Sequence, residues 1–463
     1  MTDIKPPQPM QWVAKISKDL ENLPDTLAES ARWSKRSIYR IQASVAGAND
    51  RNYKPQIVSL GPYHQGSIHL RAMEKHKRRA LLHFLKRSGR PLQAYVDALA
   101  PVAQDLRDAY DQLEECGYDT AMFLELMIVD GCFVLEILRV AVAGYTRGSG
   151  PLADQPLPSA VVRDYGDNDP IFSNHGMLYN LPSLRRDMLK VENQLPMLLL
   201  EKLVAVQNDN SLKDRNDLTN LVLKFFQLNI SPTYLHEFEH CLHMLDIYRK
   251  SLLLEEPRSK KKWKAQPAVP VQMGGVRDDI ILSATELNEA EIRIEQSKSR
   301  SLMDITFRGG VLRLPLIVVD YAFESLYLNL IAFERLHFGA GKGNDLTSYI
   351  SFMTNIIYSS RDVSLLHSRG IIRNALGSDK AAATPFHSLS KDITLDPESN
   401  LKQVHMQVSK YCREPWHKWR ANLMRTYFTN PWAILSVAAA IVLFALTFVQ
   451  TVYSVLGYVN PPA

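Results

Sequence analysis

Cysteine is scarce in this sequence. The chain of 463 residues contains four cysteines, and no two of them form a Cys-x-x-Cys pair; they are Cys116, Cys132, Cys241 and Cys412. A disulfide scaffold needs dense, paired cysteines, and zinc sites built from cysteine need closely spaced pairs. The sequence therefore argues against both devices and predicts a body that lies in a reducing compartment.

Charge is absent from the last part of the chain. No Asp, Glu, Lys or Arg follows Arg425, and residues 432–455 read WAILSVAAAIVLFALTFVQTVYSV. As an α-helix this stretch would be about 36 Å long, against a hydrocarbon core of about 30 Å in a bilayer. A buried helix of a soluble protein, which is the alternative, rarely runs this long without a charge. The sequence thus predicts a single-pass transmembrane anchor and short tail within residues 426–463.

Signals for export and for common chemistry are also missing. The first twenty residues have no apolar core of the signal-peptide type. The sequence has no phosphate-binding glycine loop, dinucleotide-binding fingerprint, Gly-x-Ser-x-Gly elbow or kinase signature. The net charge is +5, and six basic residues lie between Asn400 and the anchor, which favours membrane proximity over nucleic-acid binding. We expect no enzyme activity, no cofactor and no nucleic-acid partner.

The residues expected to form the membrane anchor are mostly apolar or aromatic. Proline is tolerated in the first turn of a helix, and aromatic rings favour the two membrane interfaces. Trp432 and Tyr453 lie near the two ends of the stretch. The predicted anchor residues are Pro431, Trp432, Leu435, Ile441, Leu443, Phe444, Phe448 and Tyr453.

Basic residues precede the anchor, whereas only LGYVNPPA follows its last predicted residues. The positive-inside rule therefore predicts that residues 1–430 are cytosolic and that the tail lies across the membrane. The plasma membrane is the expected location of the anchor. Each Lys or Arg near the surface would contribute about 1 kcal/mol of attraction to anionic headgroups. The predicted basic belt at the membrane surface consists of Lys410, Arg413, Lys418, Arg420 and Arg425.

The rest of the chain predicts a mainly α-helical globular body over residues 38–425, preceded by a peripheral segment of residues 1–37. Two alternating runs flank Gly309-Gly310 and predict one small β-hairpin. Residues 145–180 are rich in turn-forming residues and predict a loop. Apolar periodicity predicts helices over residues 12–23, 70–87, 91–116, 122–143, 184–206 with a kink or restart at Pro196, 218–228, 234–254, 283–294, 321–337, 347–358, 363–376 and 402–427. Residues 192–194 are expected to have a structural role, in which they hydrogen-bond the backbone groups that a kink at Pro196 frees.

Residues 122–143 form a second long apolar stretch, MFLELMIVDGCFVLEILRVAVA. It contains four charged residues, and a charge near a bilayer centre costs about 2.5–3.5 kcal/mol. We therefore predict a central core helix here rather than a second membrane span. Asp130 is expected to be a partnered buried carboxylate, and Gly131 to let another helix approach. The basic residues of the helix over 70–87 are expected to form a solvated face.

One motif has the spacing of a metalloprotease site. His236-Glu237-Phe238-Glu239-His240 matches His-Glu-x-x-His, which on an α-helix would place two imidazoles on one face to bind zinc beside a glutamate base. Glu239 is charged where such helices are apolar, and no third ligand has a familiar spacing. An amphipathic surface helix is the favoured interpretation, and a zinc-dependent hydrolase using His236, Glu237 and His240 is the alternative function.

Several short motifs occur in a fixed order along residues 38–455. They are Val58-Ser59-Leu60-Gly61-Pro62-Tyr63-His64, Met73-Glu74-Lys75-His76-Lys77, Asp130-Gly131-Cys132-Phe133, Asp169-Pro170-Ile171-Phe172, Glu192-Asn193-Gln194-Leu195-Pro196, His243-Met244-Leu245-Asp246, Asp362-Val363-Ser364-Leu365-Leu366, Gly370-Ile371-Ile372 and Tyr427-Phe428-Thr429-Asn430-Pro431-Trp432-Ala433. In their number and order these motifs resemble the plant-specific domain-of-unknown-function family 247.

The resemblance implies a mostly helical body with a C-terminal membrane helix and no established enzyme activity. It also implies that the landmark histidine is His243, and not His236 or His240. Some grass members look like pollen-side determinants of self-incompatibility, so the resemblance implies a role in self/non-self recognition.

We therefore expect a membrane-tethered plant recognition or signalling protein that acts by protein–protein contact. Its expected partners are the lipid bilayer and an unidentified protein. Small residues such as Ser436 and Ala440 would permit helix pairing in the bilayer, so the sequence is compatible with a homo-oligomer.

Overall fold

The computed structural model describes residues 11–21, 25–145, 164–208, 214–255, 282–338, 343–391, 393, 400–413 and 431–459. In these residues the chain forms nineteen α-helices, five short 3-10 segments and five short strands, so the predicted mainly helical fold is confirmed. The helices are α1 (Gln11–Glu21), α2 (Thr26–Ser34), α3 (Ala43–Ala46), α4 (Asp50–Tyr53), α5 (Arg71–Ser88), α6 (Leu92–Leu99), α7 (Ala103–Asp108), α8 (Thr120–Tyr145), α9 (Asn174–Asp187), α10 (Met197–Gln207), α11 (Asp214–Phe225), α12 (Met244–Leu253), α13 (Ala284–Glu289), α14 (Phe323–His337), α15 (Asp345–Ile356), α16 (Ser360–Ser368), α17 (Asp379–Ser390), α18 (Asn400–Arg413) and α19 (Pro431–Val459).

Contacts along the backbone divide the chain into two compact units. The first unit comprises Met1–Ser251 and Ser325–Gly339, and the second comprises Leu252–Glu324 and Ala340–Ala463. The sequence predicts segment boundaries after residues 37 and 425. The division into two units by backbone contacts does not test these boundaries, so they stay predictions.

Helix α8 is the centre of the first unit. Asp119 begins it, because its carboxylate accepts the backbone N–H of Met122 at 2.7 Å. Helices α5, α6, α10 and α11 pack against α8, and its inward side chains are buried. Among the described residues, only Ala438–Val455 in α19 forms a stretch long and apolar enough to cross a membrane. The predicted core helix over residues 122–143 is therefore confirmed.

Helix α10 approaches α8 at a glycine. A Cβ atom at Gly131 would lie 2.4 Å from Cδ1 of Leu203 and 3.4 Å from Cδ2 of Leu199. The missing side chain thus lets two leucines of α10 contact the backbone of α8. This close approach is what the sequence predicted for Gly131.

Three sequence predictions for the first unit are wrong in extent. The helix expected over 91–116 is broken into α6, α7 and two 3-10 turns, one of which contains Pro101. The helix expected over 184–206 stops at Asp187 and resumes at Met197, directly after Pro196, so the restart expected at this proline is observed but the helix before it is shorter than predicted. Within the expected loop 145–180, α9 begins at Asn174 because the Ser173 hydroxyl caps the helix by accepting from Gly176 N–H.

The second unit contains the strands. The hairpin predicted around Gly309-Gly310 is confirmed: two antiparallel strands meet there, and both glycines have positive φ. A third strand pairs in parallel with one strand of the hairpin, and two further strands form a separate parallel pair elsewhere in the unit. The sequence analysis therefore underestimated the number of strands. The strands are β1 (Arg293–Gln296), β2 (Thr306–Arg308), β3 (Val311–Leu314), β4 (Ile317–Val319) and β5 (Ile372–Asn374).

The missed strands replace the ends of predicted helices. Ser283 and Glu286 form the expected capping box of α13, but that helix ends at Glu289 and β1 follows, so the prediction to Ile294 is wrong. The helix expected over 363–376 ends at Ser368, and β5 follows it. Strands of three or four residues are too short to show a clear alternation of apolar and polar side chains.

We predict that Gly131→Ala lowers the free energy of unfolding by about 1–3 kcal/mol, because the new methyl group overlaps Leu203 in a packed interface. Urea unfolding of the detergent-solubilised chain measures this. Met122→Ala is the matched control, since Met122 lies on the same helix with 54% of its surface exposed and should change stability by less than about 0.5 kcal/mol. Equal effects of the two substitutions would contradict the close approach of α10.

Candidate functional site

Helix α19 exposes apolar side chains wherever the structure describes them. Pro431 and Trp432 occupy its first two positions. The stretch Ala438–Val455 has none of its residues buried. The other predicted anchor residues are each between 64% and 77% exposed; they are Leu435, Ile441, Leu443, Phe444, Phe448 and Tyr453. A continuous apolar surface of this length is unfavourable in water and favourable in lipid.

The polar side chains of α19 are partly satisfied by the helix itself. The hydroxyl of Thr447 donates to the carbonyl of Leu443 at 2.8 Å, and that of Thr451 donates to the carbonyl of Thr447 at 2.8 Å. An α-helix also pairs its own backbone groups, which is the condition for crossing hydrocarbon. Both features suit a helix surrounded by lipid.

The predicted basic belt is only partly described. Lys410 and Arg413 lie in the last turn of α18 and are exposed. The opposite face of α18 is buried through Leu401, Val404 and Val408, and this helix packs against α15 and β2. The remaining belt residues lie outside the described residues; they are Lys418, Arg420 and Arg425. The belt as a whole therefore stays a prediction.

The first unit contains a second polar feature, a buried ion pair between α5 and α8. Nζ of Lys77 lies 2.8 Å from the carboxylate of Asp130, and neither side chain has exposed surface. The same ammonium lies 2.9 Å from Glu74 and donates to Oγ of Ser59 at 3.1 Å. The second carboxylate oxygen of Asp130 accepts the backbone N–H of Gly61 at 2.9 Å. The predicted partnered carboxylate is confirmed.

Burial alone would lower the pKa of Lys77, but the carboxylates of Asp130 and Glu74 outweigh it and hold this pKa above its ordinary value. Lys77 is thus charged inside the unit, and its expected place on a solvated face is wrong. A signal was present in the sequence: Lys77 shares one helix face with Met73, Ala80 and Phe84, which are all buried.

Buried side chains also hold the non-helical segment that contains Val58 and Leu60. The carboxylate of Asp187 accepts the backbone N–H groups of Gln56, Ile57 and Val58 at 2.7–3.1 Å. This segment is not part of a sheet, so the carboxylate supplies the acceptor that these buried N–H groups need.

Asn193 continues the same support. Its amide accepts from Leu60 N–H at 2.6 Å and donates to the carbonyls of Val58 and Asp187 at 3.1 and 3.0 Å. The sequence predicted a structural role for residues 192–194 at a helix kink. The structure gives them such a role in an irregular buried segment instead.

A further carboxylate on α8 is enclosed by arginines. Glu136 pairs with Arg87 and, at 2.9 Å, with Arg139, and it accepts from the Tyr165 hydroxyl at 3.0 Å. Burial would raise the pKa of Glu136, but the two guanidinium groups outweigh it and hold this pKa below its ordinary value. Three of the four charged residues in the stretch 122–143, namely Asp130, Glu136 and Arg139, are thus paired inside the unit, whereas Glu125 is exposed.

The His-Glu-x-x-His motif does not lie on an α-helix. Pro232–Phe238 forms a 3-10 segment, and His240 follows in a turn, so the expected helix over 234–254 is wrong in its first half. The side chains of His236 and Glu237 are 62% and 56% exposed. Within the described part of the chain, no three His, Cys, Asp or Glu residues are grouped so that they could hold a metal ion.

His243, in contrast, is completely buried. Its Nε2 atom lies 3.0 Å from the carbonyl of Ser37, and its Nδ1 accepts the N–H of Asp246 at 3.2 Å. Burial lowers the pKa of His243 to about 4, and the nearby Asp246 carboxylate only partly opposes this. The ring is therefore neutral at pH 7 and joins two distant segments of the first unit.

Comparisons with known proteins identify relatives over most of the chain. The model of the family DUF247, described as a plant protein of unknown function, matches residues 38–446. UPF0481 protein At3g47200 of Arabidopsis thaliana is 29% identical over 459 residues, which cover 94% of this chain and 90% of that protein. Putative UPF0481 protein At3g02645, also of Arabidopsis thaliana, is 21% identical, with 95% of this chain and 94% of that protein covered. No solved structure matches the chain.

We predict that Lys77→Met destabilises the protein by about 3–5 kcal/mol, because Asp130 is left as a buried charge without its partner. Lys75→Met is the matched control: Lys75 lies on the same helix, is exposed, and should change stability by less than about 0.5 kcal/mol. Urea unfolding at pH 7 compares the two. A cost below about 1 kcal/mol for Lys77→Met would show that this ion pair does not hold the unit together.

We also predict an acid-sensitive contribution from His243. Below pH of about 6.5 the unfolded chain protonates this histidine, whereas the folded chain does so only near pH 4. The unfolded state then binds more protons, so stability falls as the pH falls through this window, by up to about 1.4 kcal/mol per pH unit. Between pH 7 and pH 5, His243→Gln should lose about 1–2 kcal/mol less than the wild type. Identical pH slopes for the wild type and His243→Gln would refute the prediction.

Proposed function

The chain belongs to the plant family of unknown function whose model matches residues 38–446, and from this premise we propose that it is a membrane-tethered protein that acts by protein–protein contact in recognition or signalling. The described body is mainly helical, and helix α19 is its membrane anchor. Either unit can provide the surface that contacts a partner, and helix α19 alone provides the anchor.

The observation that carries the proposal is the exposed apolar surface of α19. Twenty-nine residues form this helix, and its described apolar side chains are uncovered. Helix α8 is of similar length but is buried and contains paired charges, as expected for a core helix. The contrast between the two helices supports lipid as the medium around α19.

We propose a cytosolic body at the plasma membrane. Lys410 and Arg413 lie before the anchor in the chain, and three further basic residues follow before Pro431. A bias of Lys and Arg on one flank sets the orientation of a membrane helix, and the same residues attract anionic headgroups of the cytoplasmic leaflet.

Contact, and not catalysis, is the mode of action that we propose. The buried carboxylates of the first unit are occupied by lysine, arginine and backbone N–H groups, so they support structure rather than activate a substrate. Self/non-self recognition in pollen is one process of this class, and the resemblance to grass members of the family is its support. The zinc-dependent hydrolase is the weaker candidate, because His236 and His240 are not held on one helix face.

The zinc alternative has a direct test. Elemental analysis of the purified full-length protein should find about one zinc per chain if His236, Glu237 and His240 form a metal site. Our proposal expects substoichiometric zinc that His240→Ala leaves unchanged. A full equivalent of zinc that disappears in His240→Ala would favour the hydrolase.

Membrane insertion is tested with the full-length protein tagged at both ends in sealed vesicles. We predict that the protein resists carbonate extraction, that added protease digests the body from the cytosolic side, and that the tag after α19 is protected. Leu443→Arg should reduce the inserted fraction, since an arginine near the helix centre costs about 2.5–3.5 kcal/mol, whereas the matched control Leu443→Ala should insert normally. Complete release of the wild type by carbonate would refute the anchor. A protected body would instead reverse the orientation.

A further inference from the structure

The anchor helix carries a polar stripe. Thr447, Gln450, Thr451 and Ser454 recur at spacings of three and four residues, which places them on one face of an α-helix. Together with Val455 they line a shallow groove on the surface of α19. The opposite face, which includes Val449, is apolar.

The members of the stripe differ in how their polar atoms are satisfied. The hydroxyls of Thr447 and Thr451 donate to backbone carbonyls one turn earlier, each at 2.8 Å. A glutamine amide offers two N–H donors and an acceptor oxygen. Within the described chain, the side chain of Gln450 is exposed and makes no hydrogen bond.

The position of Gln450 makes its amide costly in a bilayer. Gln450 lies five residues beyond the middle of Pro431–Val459, or about 7.5 Å along the helix axis. A hydrocarbon core of about 30 Å extends farther than this from its centre, so the amide meets no water. An unsatisfied polar group there costs several kcal/mol, and only another helix at the same depth can supply a partner.

We propose that this partner is a second copy of the chain, and that two α19 helices pair in the bilayer through the face of Thr447, Gln450, Thr451 and Ser454. This inference rests on the proposed membrane insertion. Within the described residues α19 is the one helix able to span a membrane, so that part of the chain offers no second span to meet Gln450. Around a two-fold axis each amide donates to the other, because an amide is its own complement.

The shape and charge of the stripe favour a second copy over an unrelated helix. Side chains with hydroxyl groups are shorter than leucine or phenylalanine and let two helix backbones approach closely. The stripe has no charged group that would select a partner of opposite sign. A two-fold pair requires only that one patch complements itself, and the amide at its centre meets this requirement.

The test uses the purified full-length protein as two fluorescent fusions, donor and acceptor, placed together in phosphatidylcholine vesicles at several lipid-to-protein ratios. Energy transfer reports pairing, and flotation with carbonate washing of the same vesicles reports insertion. Gln450→Leu removes the amide at nearly constant size. Gln450→Asn retains an amide, and Val449→Leu is the matched control on the opposite face.

We expect energy transfer in the wild type that falls when unlabelled protein is added. Gln450→Leu should weaken pairing about three- to thirty-fold while it stays inserted. Gln450→Asn should retain most of the pairing, and Val449→Leu should match the wild type. If inserted wild-type protein shows no transfer, or if Gln450→Leu pairs like the wild type, this inference is wrong while the anchor stands. If the protein does not float with the vesicles, the anchor and the pairing both fall.

Discussion

The first unit depends on one buried carboxylate that serves two distant parts of the chain. The carboxylate of Asp130 on α8 pairs with the ammonium of Lys77 from α5 and accepts the backbone N–H of Gly61 from a turn. If Asp130 were removed, the buried Gly61 N–H would lose its acceptor and the buried Lys77 ammonium would lose its nearest carboxylate. This interaction therefore fixes the position of α5 and of the Gly61 turn on α8.

The same constraint explains why so many polar residues are buried near Asp130. The segment around Val58 belongs to neither a helix nor a sheet, so its backbone groups need other partners. Asp187 and Asn193 supply them, and the irregular segment that contains Asn193 is itself enclosed. Motifs that lie more than a hundred residues apart in the chain thus meet in one hydrogen-bonded network. Buried hydrogen-bonded networks of this kind specify a single core arrangement.

The exposure of polar and apolar groups in helix α19 is the reverse of that in the first unit. In the first unit, polar groups are taken out of water and paired with one another; in α19, apolar groups are uncovered and the helix pairs only its own backbone and hydroxyls. Charges distinguish the two long helices: α8 has Asp130 and Glu136 inside its apolar sequence, and α19 has none. Paired carboxylates need protein around them, whereas an uncharged helix is compatible with lipid. Gln450 is the exception, because its exposed amide needs a hydrogen-bond partner that lipid cannot supply.

The sequence by itself determined the helical class, the core position of α8, the hairpin at Gly309-Gly310 and the uncharged span of α19, because each follows from local periodicity or composition. It did not determine the break at Pro101, the loss of helix between Asp187 and Met197, or the three strands outside the hairpin, whose partners are remote in sequence or whose length is too short for a pattern. Lys77 was expected to be solvent-exposed because lysine usually is. It can be buried only because helix α8 packs against α5 and places the carboxylate of Asp130 beside it. Likewise, the spacing of His236 and His240 matched a metal motif, but tertiary packing left that segment in 3-10 turns. Local rules decided which segments are helices; contacts between distant segments decided which polar groups could be buried, since a buried charge is stable only where its partner has been placed.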